Sequence, residues 1–174
     1  MSSYSLTRQA AFRAARAAGE IKVWQPILKG AAARRILALD EDLYARLANP
    51  WGDPDSDLEA LRQEIMAACD AFVNDTIALR ALFDEIGGRL GVAEMKILAP
   101  DPGARIIGGF LHETVFVGCS LLRRDELPYK RNGDQTTHAL IDWETLNRTT
   151  AKRLSELFGE EPLYRPLSLR RRQP

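Results

Sequence analysis

Hydrophobic positions in the first third of the chain recur every three or four residues, the spacing of one face of an α-helix. Most of these apolar side chains are alanines, which bury little surface. We therefore expect a helical extension that wraps around a core formed by the rest of the chain. Its predicted helices are "LTRQAAFRAARAA" (6–18), with Ser5 as N-cap and Gly19 as its end, "PILKGAAARRILAL" (26–39) and "DEDLYARLA" (40–48).

A turn-rich segment, "NPWGDPDSD" (49–57), separates this region from the next apolar repeat. It leads into a capping box, in which Ser56 and Glu59 satisfy free amides in the first turn of a helix. From 58 to 86 the apolar spacing is again helical, and we expect the helix to break at 74–76, where short polar side chains compete for backbone hydrogen bonds. The acidic outer face of this helix is either simply solvated or a docking surface for a basic helix or the basic C-terminus.

After Val92 the apolar positions alternate, as in β-strands. The fold class is therefore α+β, with a small antiparallel sheet of three or four strands packed with helices. The predicted elements are a strand at "EMKILAP" (94–100), a hairpin from 104 to 124, a turn at Asn132–Gly133, a brief strand at "THALI" (137–141), and a helix capped by Asp142 and ended by Gly159. The predicted domains are a helical extension (1–52), an α+β core (53–165) and a basic flexible tail (166–174).

The predicted hairpin has two different faces. With His112–Glu113 as its turn, Phe110 lies opposite Val115, and one face is apolar: Ala104, Ile106, Gly108, Phe110, Val115, Val117, Cys119 and Leu121. The other face carries Arg105, Gly109, Gly118, Ser120 and Arg124. Glycine in a strand permits close approach of a ligand or of another backbone. This second face is therefore either covered by a closely packed helix, with the arginines reaching over its edge, or open as a basic site.

Composition narrows the class of protein. The 174 residues include 24 basic and 24 acidic side chains, so the net charge gives no reason to expect a polyanionic partner. The charges are unevenly distributed, with an acidic middle between basic ends. No apolar run reaches the roughly 18 residues of a membrane span, and the N-terminal residues lack the apolar core of a secretory signal. We expect a cytoplasmic protein with no membrane partner, in which Cys69 and Cys119 are buried free thiols.

Motifs for catalysis or cofactor binding are few. Neither His112 nor His138 lies at zinc-ligand spacing from a cysteine or carboxylate, so no metal site is predicted. Gly118-Cys119-Ser120 lacks the strand-turn-helix context of a nucleophile elbow. The glycines between 103 and 109 do not form a dinucleotide-binding fingerprint. No cofactor is predicted.

The order of elements from about residue 57 to 165 resembles that of the bacterial RelE/ParE toxin-like family. The shared order is a helical pair, a strand, a tight turn, an arginine-initiated strand, a hairpin into a strand with a basic end, and a helix. The residues that carry the resemblance are Lys96 and Leu98 in "EMKIL", Gly103 and Arg105 in "PGARIIGGF", Arg123 and Arg124 in "VFVGCSLLRR", and the helix "TTAKRL".

This resemblance implies a small antiparallel sheet with helices on one side, and a toxin that acts on RNA or the translation machinery. In the ribosome-dependent endoribonucleases of the family, basic side chains on the sheet hold mRNA phosphate and stabilise the transition state of 2′-hydroxyl attack. The implied catalytic residues are Arg105, Arg123, Arg124 and Tyr129, with Tyr164 as the other candidate acid–base group. The implied RNA-binding residues are Lys96, Arg105, Arg124, Lys130 and Arg131. A cognate antitoxin, RNA and the ribosome are the implied partners, whereas the gyrase-directed branch of the family would make the protein a binder.

The alternative is a non-enzymatic interaction or adaptor protein that pairs through its acidic helix or through an open sheet edge. The lack of a specific catalytic constellation favours this alternative. The chain also departs from typical RelE/ParE members, which are shorter and strongly basic. Another protein, or a second copy of this chain in a homodimer, is the expected partner.

Overall fold

The computed structural model describes residues 6–26, 33–86, 90–127, 130–131, 134–135, 142–160, 163–166 and 169. Its helices are α1 (Leu6–Ala17), α2 (Glu41–Ala48), α3 (Asp57–Val73), α4 (Leu79–Leu82) and α5 (Trp143–Phe158). Its strands are β1 (Ile21–Val23), β2 (Ile36–Asp40), β3 (Phe83–Glu85), β4 (Val92–Ile97), β5 (Ala104–His112), β6 (Val115–Arg123), β7 (Lys130–Arg131) and β8 (Asp134–Gln135). These elements confirm the predicted α+β class.

Six strands form one sheet in the order β1–β2–β6–β5–β4–β3. Neighbouring strands are antiparallel except β2 and β6, which run parallel with Ile36 opposite Val115. The sheet therefore has six strands where three or four were expected, and it is mixed, because residues 21–40 contribute two of them. Strands β7 and β8 pair with each other in a separate two-stranded sheet.

Strand β2 corrects the prediction of a helix over residues 26–39, of which 27–32 lie outside the described part. Leu37 and Leu39 are fully buried on one face of the sheet, and Ala38 is fully buried on the other. A segment that is buried on both faces is apolar throughout, so its sequence does not distinguish a strand from a buried helix. The pairing with β6, far along the chain, determines its conformation.

The apolar repeat from 58 to 86 contains two helices and a strand. Helix α3 ends at Val73 and Asn74 is its C-cap, which confirms the predicted break at 74–76. The continuation of the helix to Ile86 was wrong, because α4 ends at Leu82 and Phe83 begins the edge strand β3, where it pairs with Met95. Phe83 remains in the core, but as a strand residue.

Local capping signals define several helix ends. The side chains of Asp40, Ser56 and Asp142 accept hydrogen bonds from the first-turn amides of α2, α3 and α5, which confirms these three N-caps. Gly159 ends α5 with a φ of 85°. The second half of the predicted capping box is absent, because the Glu59 carboxylate accepts from the backbone amide of Trp51 at 3.0 Å.

Two β-bulges change the predicted register of the hairpin. The hairpin turns at Glu113–Thr114 and not at His112–Glu113, so His112 lies opposite Val115. Phe110 then lies opposite Phe116, because Leu111 is an extra residue in β5, and further along the hairpin Cys119 is an extra residue in β6. An extra residue moves the side chains beyond it to the other face of the sheet. Phe116 therefore joins Phe110 on one face, and Val115 faces the other.

Helices cover both faces of the sheet, which makes it the middle of three layers. The face toward α2, α3 and α4, here called the α3 face, holds a cluster of four phenylalanines whose ring centroids lie 4.8 to 6.4 Å apart: Phe72, Phe83, Phe110 and Phe116. The opposite face, here called the α5 face, is covered by α1 and α5. Both layers of helix are thus needed to bury the sheet.

Candidate functional site

Arg105, the first residue of the predicted basic face, is buried and internally bonded. Its side chain is on strand β5, and only 8% of the residue is exposed. Nη1 donates hydrogen bonds to the carbonyl oxygens of Ile97 (3.0 Å) and Ala104 (2.7 Å), while Nε lies 3.4 Å from Oε2 of Glu94. Burial raises the pKa of Glu94 and lowers that of Arg105, and the attraction between the two charges opposes both shifts. The charge of Arg105 is thus balanced within the fold.

Lys96 and Arg124 lie in the same charged cluster. Lys96 Nζ is 3.1 Å from Oδ2 of Asp84 on the neighbouring edge strand. Arg124, in the 3₁₀ turn after β6, is close enough for its charge to act on both Glu94 and Arg105. The structure therefore brings three predicted RNA-binding cations together, with two carboxylates among them.

The remaining predicted residues are placed elsewhere or lie outside the described part. Arg123 lines a pocket on the α3 face and pairs with Asp125 at 2.8 Å. Tyr164 stacks on His112 with ring centroids 5.7 Å apart, and its amide bonds to the carbonyl of Phe110, near the opposite end of β5 from Arg105. Lys130 and Arg131 form β7, which belongs to the separate two-stranded sheet. Ser5, Tyr129, His138, the Asn132–Gly133 turn, the "THALI" strand and most of the basic tail lie outside the described residues.

The glycine-bearing part of the α5 face is covered by a closely packed helix. A Cβ atom on Gly109 would lie 2.8 Å from Cδ1 of Leu154, on α5, and 2.7 Å from Cδ1 of Leu163. Ile107, beside it, has no exposed surface. At Gly109 the face is therefore covered by a closely packed helix and is not open as a basic site.

A pocket of about 270 Å³, here called the Trp51 pocket, opens on the α3 face of the sheet. It lies between the loop that joins α2 to α3 and the end of strand β6. Its walls are mostly apolar, with one guanidinium from α2 and one from β6. The lining residues are Arg46, Trp51, Leu58, Leu61, Ala104, Leu121, Leu122 and Arg123.

Trp51 is held in this pocket by two hydrogen bonds of its own and by further bonds that fix the acceptor Glu59. Its indole Nε1 donates to the carbonyl oxygen of Arg46 at 2.7 Å, and the Arg46 guanidinium lies 5.2 Å from the ring centroid. The Trp51 amide donates to Glu59, which is itself buried and bonded by Arg62 at 2.8 and 3.0 Å. Arg62 also donates to the carbonyl of Leu47 at 2.7 Å. These bonds fix the loop onto α2 and α3.

Glu59 and Arg62, which hold the loop of Trp51 in place, form a stable ion pair. The hydrogen bonds from Arg62 and from the Trp51 amide lower the pKa of Glu59 to about 2. Glu59 is therefore ionised at neutral pH and keeps the loop in place without titrating. At the pocket itself, Leu58 is 46% exposed and Arg123 is partly exposed.

This arrangement is suited to binding and not to proton transfer. The pocket offers apolar surface and guanidinium donors, but its lining residues include no thiol, hydroxyl, imidazole or carboxyl group. Elsewhere, burial raises the pKa of the Cys119 thiol to about 12. Cys69 and Cys119 are both free thiols. Among the described residues, no three His, Cys, Asp or Glu side chains are grouped as metal ligands.

Residues Arg46, Trp51 and Leu58 were missed as functional candidates at the level of sequence. The sequence feature that could have indicated these residues is a tryptophan inside a turn segment of proline, glycine and aspartate, "NPWGDPDSD". Large aromatic side chains in such loops are unusual unless they are packed or bind a partner. Arg123, which was predicted, enters the same pocket from a strand more than sixty residues away.

None of the helices in the described part of the chain is long and apolar enough to cross a membrane. Comparisons with protein-family models, with curated proteins and with solved structures find no match to this chain.

Proposed function

We propose that this protein is a non-enzymatic interaction protein that binds a segment of a partner protein in the Trp51 pocket. The observation that carries the proposal is the pocket's composition: apolar walls, one exposed leucine and two guanidinium groups. Tryptophan and arginine beside apolar surface are the residue types that dominate binding energy at protein interfaces. The bound segment inserts one apolar side chain, and one neighbouring carboxylate accepts hydrogen bonds from Arg46 or Arg123.

Peptide fits this pocket better than RNA. One face of the Trp51 ring is occupied by the Arg46 guanidinium, so that face is not available for base stacking. Three exposed aspartates also lie next to the pocket: Asp53 and Asp55 in the loop and Asp57 at the start of α3. These carboxylates repel a phosphate backbone that passes the pocket, whereas a single carboxylate can be directed between the arginines.

Selection from a displayed random-peptide library tests the proposal. Peptides are selected on the wild-type protein and counter-selected on the Arg123→Gln variant. We expect enrichment of peptides with an aromatic or aliphatic residue within two positions of Asp or Glu. Arg123→Gln should weaken the binding of a selected peptide by about tenfold, the usual effect of losing a charge-assisted hydrogen bond.

Arg148→Gln is the matched control, because Arg148 is an exposed arginine on α5, across the sheet from the pocket. It should leave peptide affinity unchanged. Selection of no pocket-dependent peptide would refute the proposal. Binding of a fluorescent single-stranded RNA that is lost in Arg123→Gln, but not in Arg148→Gln, would replace it with an RNA-binding function.

A ribonuclease of the RelE/ParE type, acting with an antitoxin or on the ribosome, is the second candidate function. The observation that favours it is the cluster of Lys96, Arg105 and Arg124. Against it, Arg105 is paired with Glu94 and Arg123 lies on the opposite face of the sheet from this cluster. Induced expression distinguishes the candidates: growth arrest with mRNA cleavage, relieved by Arg124→Ala, supports the ribonuclease, and normal growth with intact mRNA rejects it.

A further inference from the structure

The end of strand β6 has a free edge, because its parallel neighbour β2 stops earlier. Leu39 and Gly118 are the last paired residues of β2 and β6, and the chain then turns from Asp40 into α2. Strand β6 continues to Arg123, paired on its other side with β5. Residues 119–123, here called the β6 edge, therefore have no strand on the β2 side within the described part of the chain.

The hydrogen bonds between β5 and β6 show how the backbone of this edge is oriented. Ala104 and Arg123 lie opposite each other, and the Arg124 amide donates to the carbonyl oxygen of Gly103 at 3.0 Å. Ala104 and Arg123 are therefore a non-hydrogen-bonded pair of the antiparallel ladder. Because hydrogen-bonded and non-hydrogen-bonded pairs alternate, Leu122 directs its N–H and C=O groups toward β5.

Leu121 and Arg123 direct their backbone groups the other way, out of the free edge. The Arg123 amide confirms this direction, because it donates to Oε2 of Glu126 at 2.6 Å. The N–H and C=O groups of Leu121 and the C=O group of Arg123 have no backbone partner among the residues that the structure describes. Unpaired groups along a strand are a template on which another extended segment pairs.

The Trp51 pocket lies along this edge. Its lining includes the consecutive residues Leu121, Leu122 and Arg123. Consecutive side chains of a strand point to opposite faces, and Leu121 belongs to the core of the α3 face, whereas Leu122 packs against a cluster that includes Leu146 of α5. A pocket lined by both leucines reaches the edge of β6 and not only one face of the sheet.

A second cleft, of about 380 Å³, provides open space beside the rest of the edge. Cys119 and Ser120 line it, together with Asp40 at the end of β2. Each residue from 119 to 123 thus lines one of the two spaces. A segment that enters the Trp51 pocket can therefore lie along β6, where the continuation of β2 would be.

We infer that the partner's segment binds in extended conformation, as a β-strand added to the β6 edge. The inference rests on the proposed function and names the conformation of the bound segment. The backbone of the segment pairs with the N–H and C=O groups of Leu121 and donates to the carbonyl of Arg123. One of its apolar side chains enters the Trp51 pocket. In strand addition of this kind, main-chain bonds give affinity and the pocket gives specificity.

The charges of the pocket favour a partner segment over a second copy of this chain. A segment with a carboxylate beside its apolar side chain complements the guanidinium groups of Arg46 and Arg123. The β6 edge of a second copy contains no carboxylate and would bring another Arg123 to the pocket. A helical segment would not pair with the edge, because its backbone groups are bonded within the helix.

Hydrogen exchange of single amides, followed by NMR, tests the open edge without any ligand. The Leu121 amide should exchange at least about a hundredfold faster than that of Leu122, the matched internal control, which is bonded to β5. Slow exchange of Leu121 at every protein concentration would overturn the inference, because the edge would then be covered within the chain. Slow exchange that is lost on dilution would also overturn it and assign the edge to a second copy.

A peptide selected on the wild-type protein tests the binding mode. At a peptide concentration ten times its Kd, exchange of the Leu121 amide should slow about tenfold. The amide of Glu113, exposed in the turn at the other end of β6, is the control and should be unaffected. Unchanged exchange of Leu121 in the presence of bound peptide would overturn the inference.

N-methylation along the same peptide distinguishes an added strand from other bound conformations. We expect a loss of affinity of at least about fivefold at alternate positions, where the amide bonds to β6, and little change at the positions between them. A selected peptide that lacks this alternation would reject the inference alone. Selection of no pocket-dependent peptide would reject the proposed function and the inference with it.

Discussion

The substitution Gly109→Ala tests whether the α5 face is closed. The added Cβ would lie 2.7 Å from Leu163 Cδ1 and 2.8 Å from Leu154 Cδ1, well inside the roughly 3.5 to 4.0 Å of an ordinary carbon contact. Overpacking of this kind costs about 1–3 kcal/mol. The reduced freedom of the unfolded chain returns about 0.4–1 kcal/mol. We therefore expect a net destabilisation of about 1–2 kcal/mol.

Whether Gly109→Ala lowers or raises the free energy of unfolding is the informative result. If the face were open, no atom would meet the new methyl group and only the unfolded-chain effect would remain, so Gly109→Ala would stabilise the protein. Equilibrium urea unfolding, followed by tryptophan fluorescence and circular dichroism, measures this difference. A stability equal to or above that of the wild type would refute the packing of α5 on Gly109.

A double-mutant cycle identifies the source of the destabilisation. Leu154→Ala alone is expected to cost about 2–5 kcal/mol. The double variant Gly109→Ala/Leu154→Ala should be more stable than the sum of the two effects predicts, by about 1 kcal/mol, because the smaller side chain makes room for the methyl group. Gly118→Ala is the control: its Cβ would meet Ile106 and Leu39, so it should show no coupling to Leu154→Ala.

Three further predictions concern the core and the titratable groups. Phe72→Ala should lower the free energy of unfolding by about 3–5 kcal/mol, because Phe72 is fully buried among three other phenylalanines; a loss below about 1 kcal/mol in urea titrations would contradict that packing. Wild-type stability should fall as the pH is lowered from 4.5 toward about 2, because the pKa of Glu59 is depressed in the folded state, and Glu59→Gln should lack this part of the pH dependence. Parallel pH profiles for the two proteins would exclude it. Burial raises the pKa of both Cys69 and Cys119, so neither thiol should react with a disulfide reagent at pH 8 until urea unfolds the chain; rapid labelling of the native protein would contradict this.

Features that depend on neighbouring residues could be predicted from the sequence. The N-caps at Asp40, Ser56 and Asp142 are short polar side chains that bond amides within three residues of themselves. The hairpin between β5 and β6 has a tight connection and two apolar strands. Such local interactions require no knowledge of the rest of the fold.

Features that depend on distant partners could not be predicted. Residues 36–39 are all apolar, and only their pairing with β6 makes them a strand. The bulges at Leu111 and Cys119 leave no mark in the hydrophobic pattern, yet they exchange the faces of the residues beyond them. The Trp51 pocket has the same origin, because α2, the following loop and β6 meet only in the folded chain.

The parallel pairing of β2 with β6 affects how the chain folds while it is being synthesised. Ile36 and Val115 are separated by about 80 residues, so a ribosome working at roughly 5–20 residues per second exposes β2 for about 4–16 seconds before β6 exists. During this interval Leu37 and Leu39, which have no exposed surface in the folded protein, lack the strand that pairs beside them. The nascent chain is therefore most vulnerable to aggregation before residue 115 is made, and the six-stranded sheet is completed late, because the pairing of β2 with β6 joins residues that are far apart in the chain.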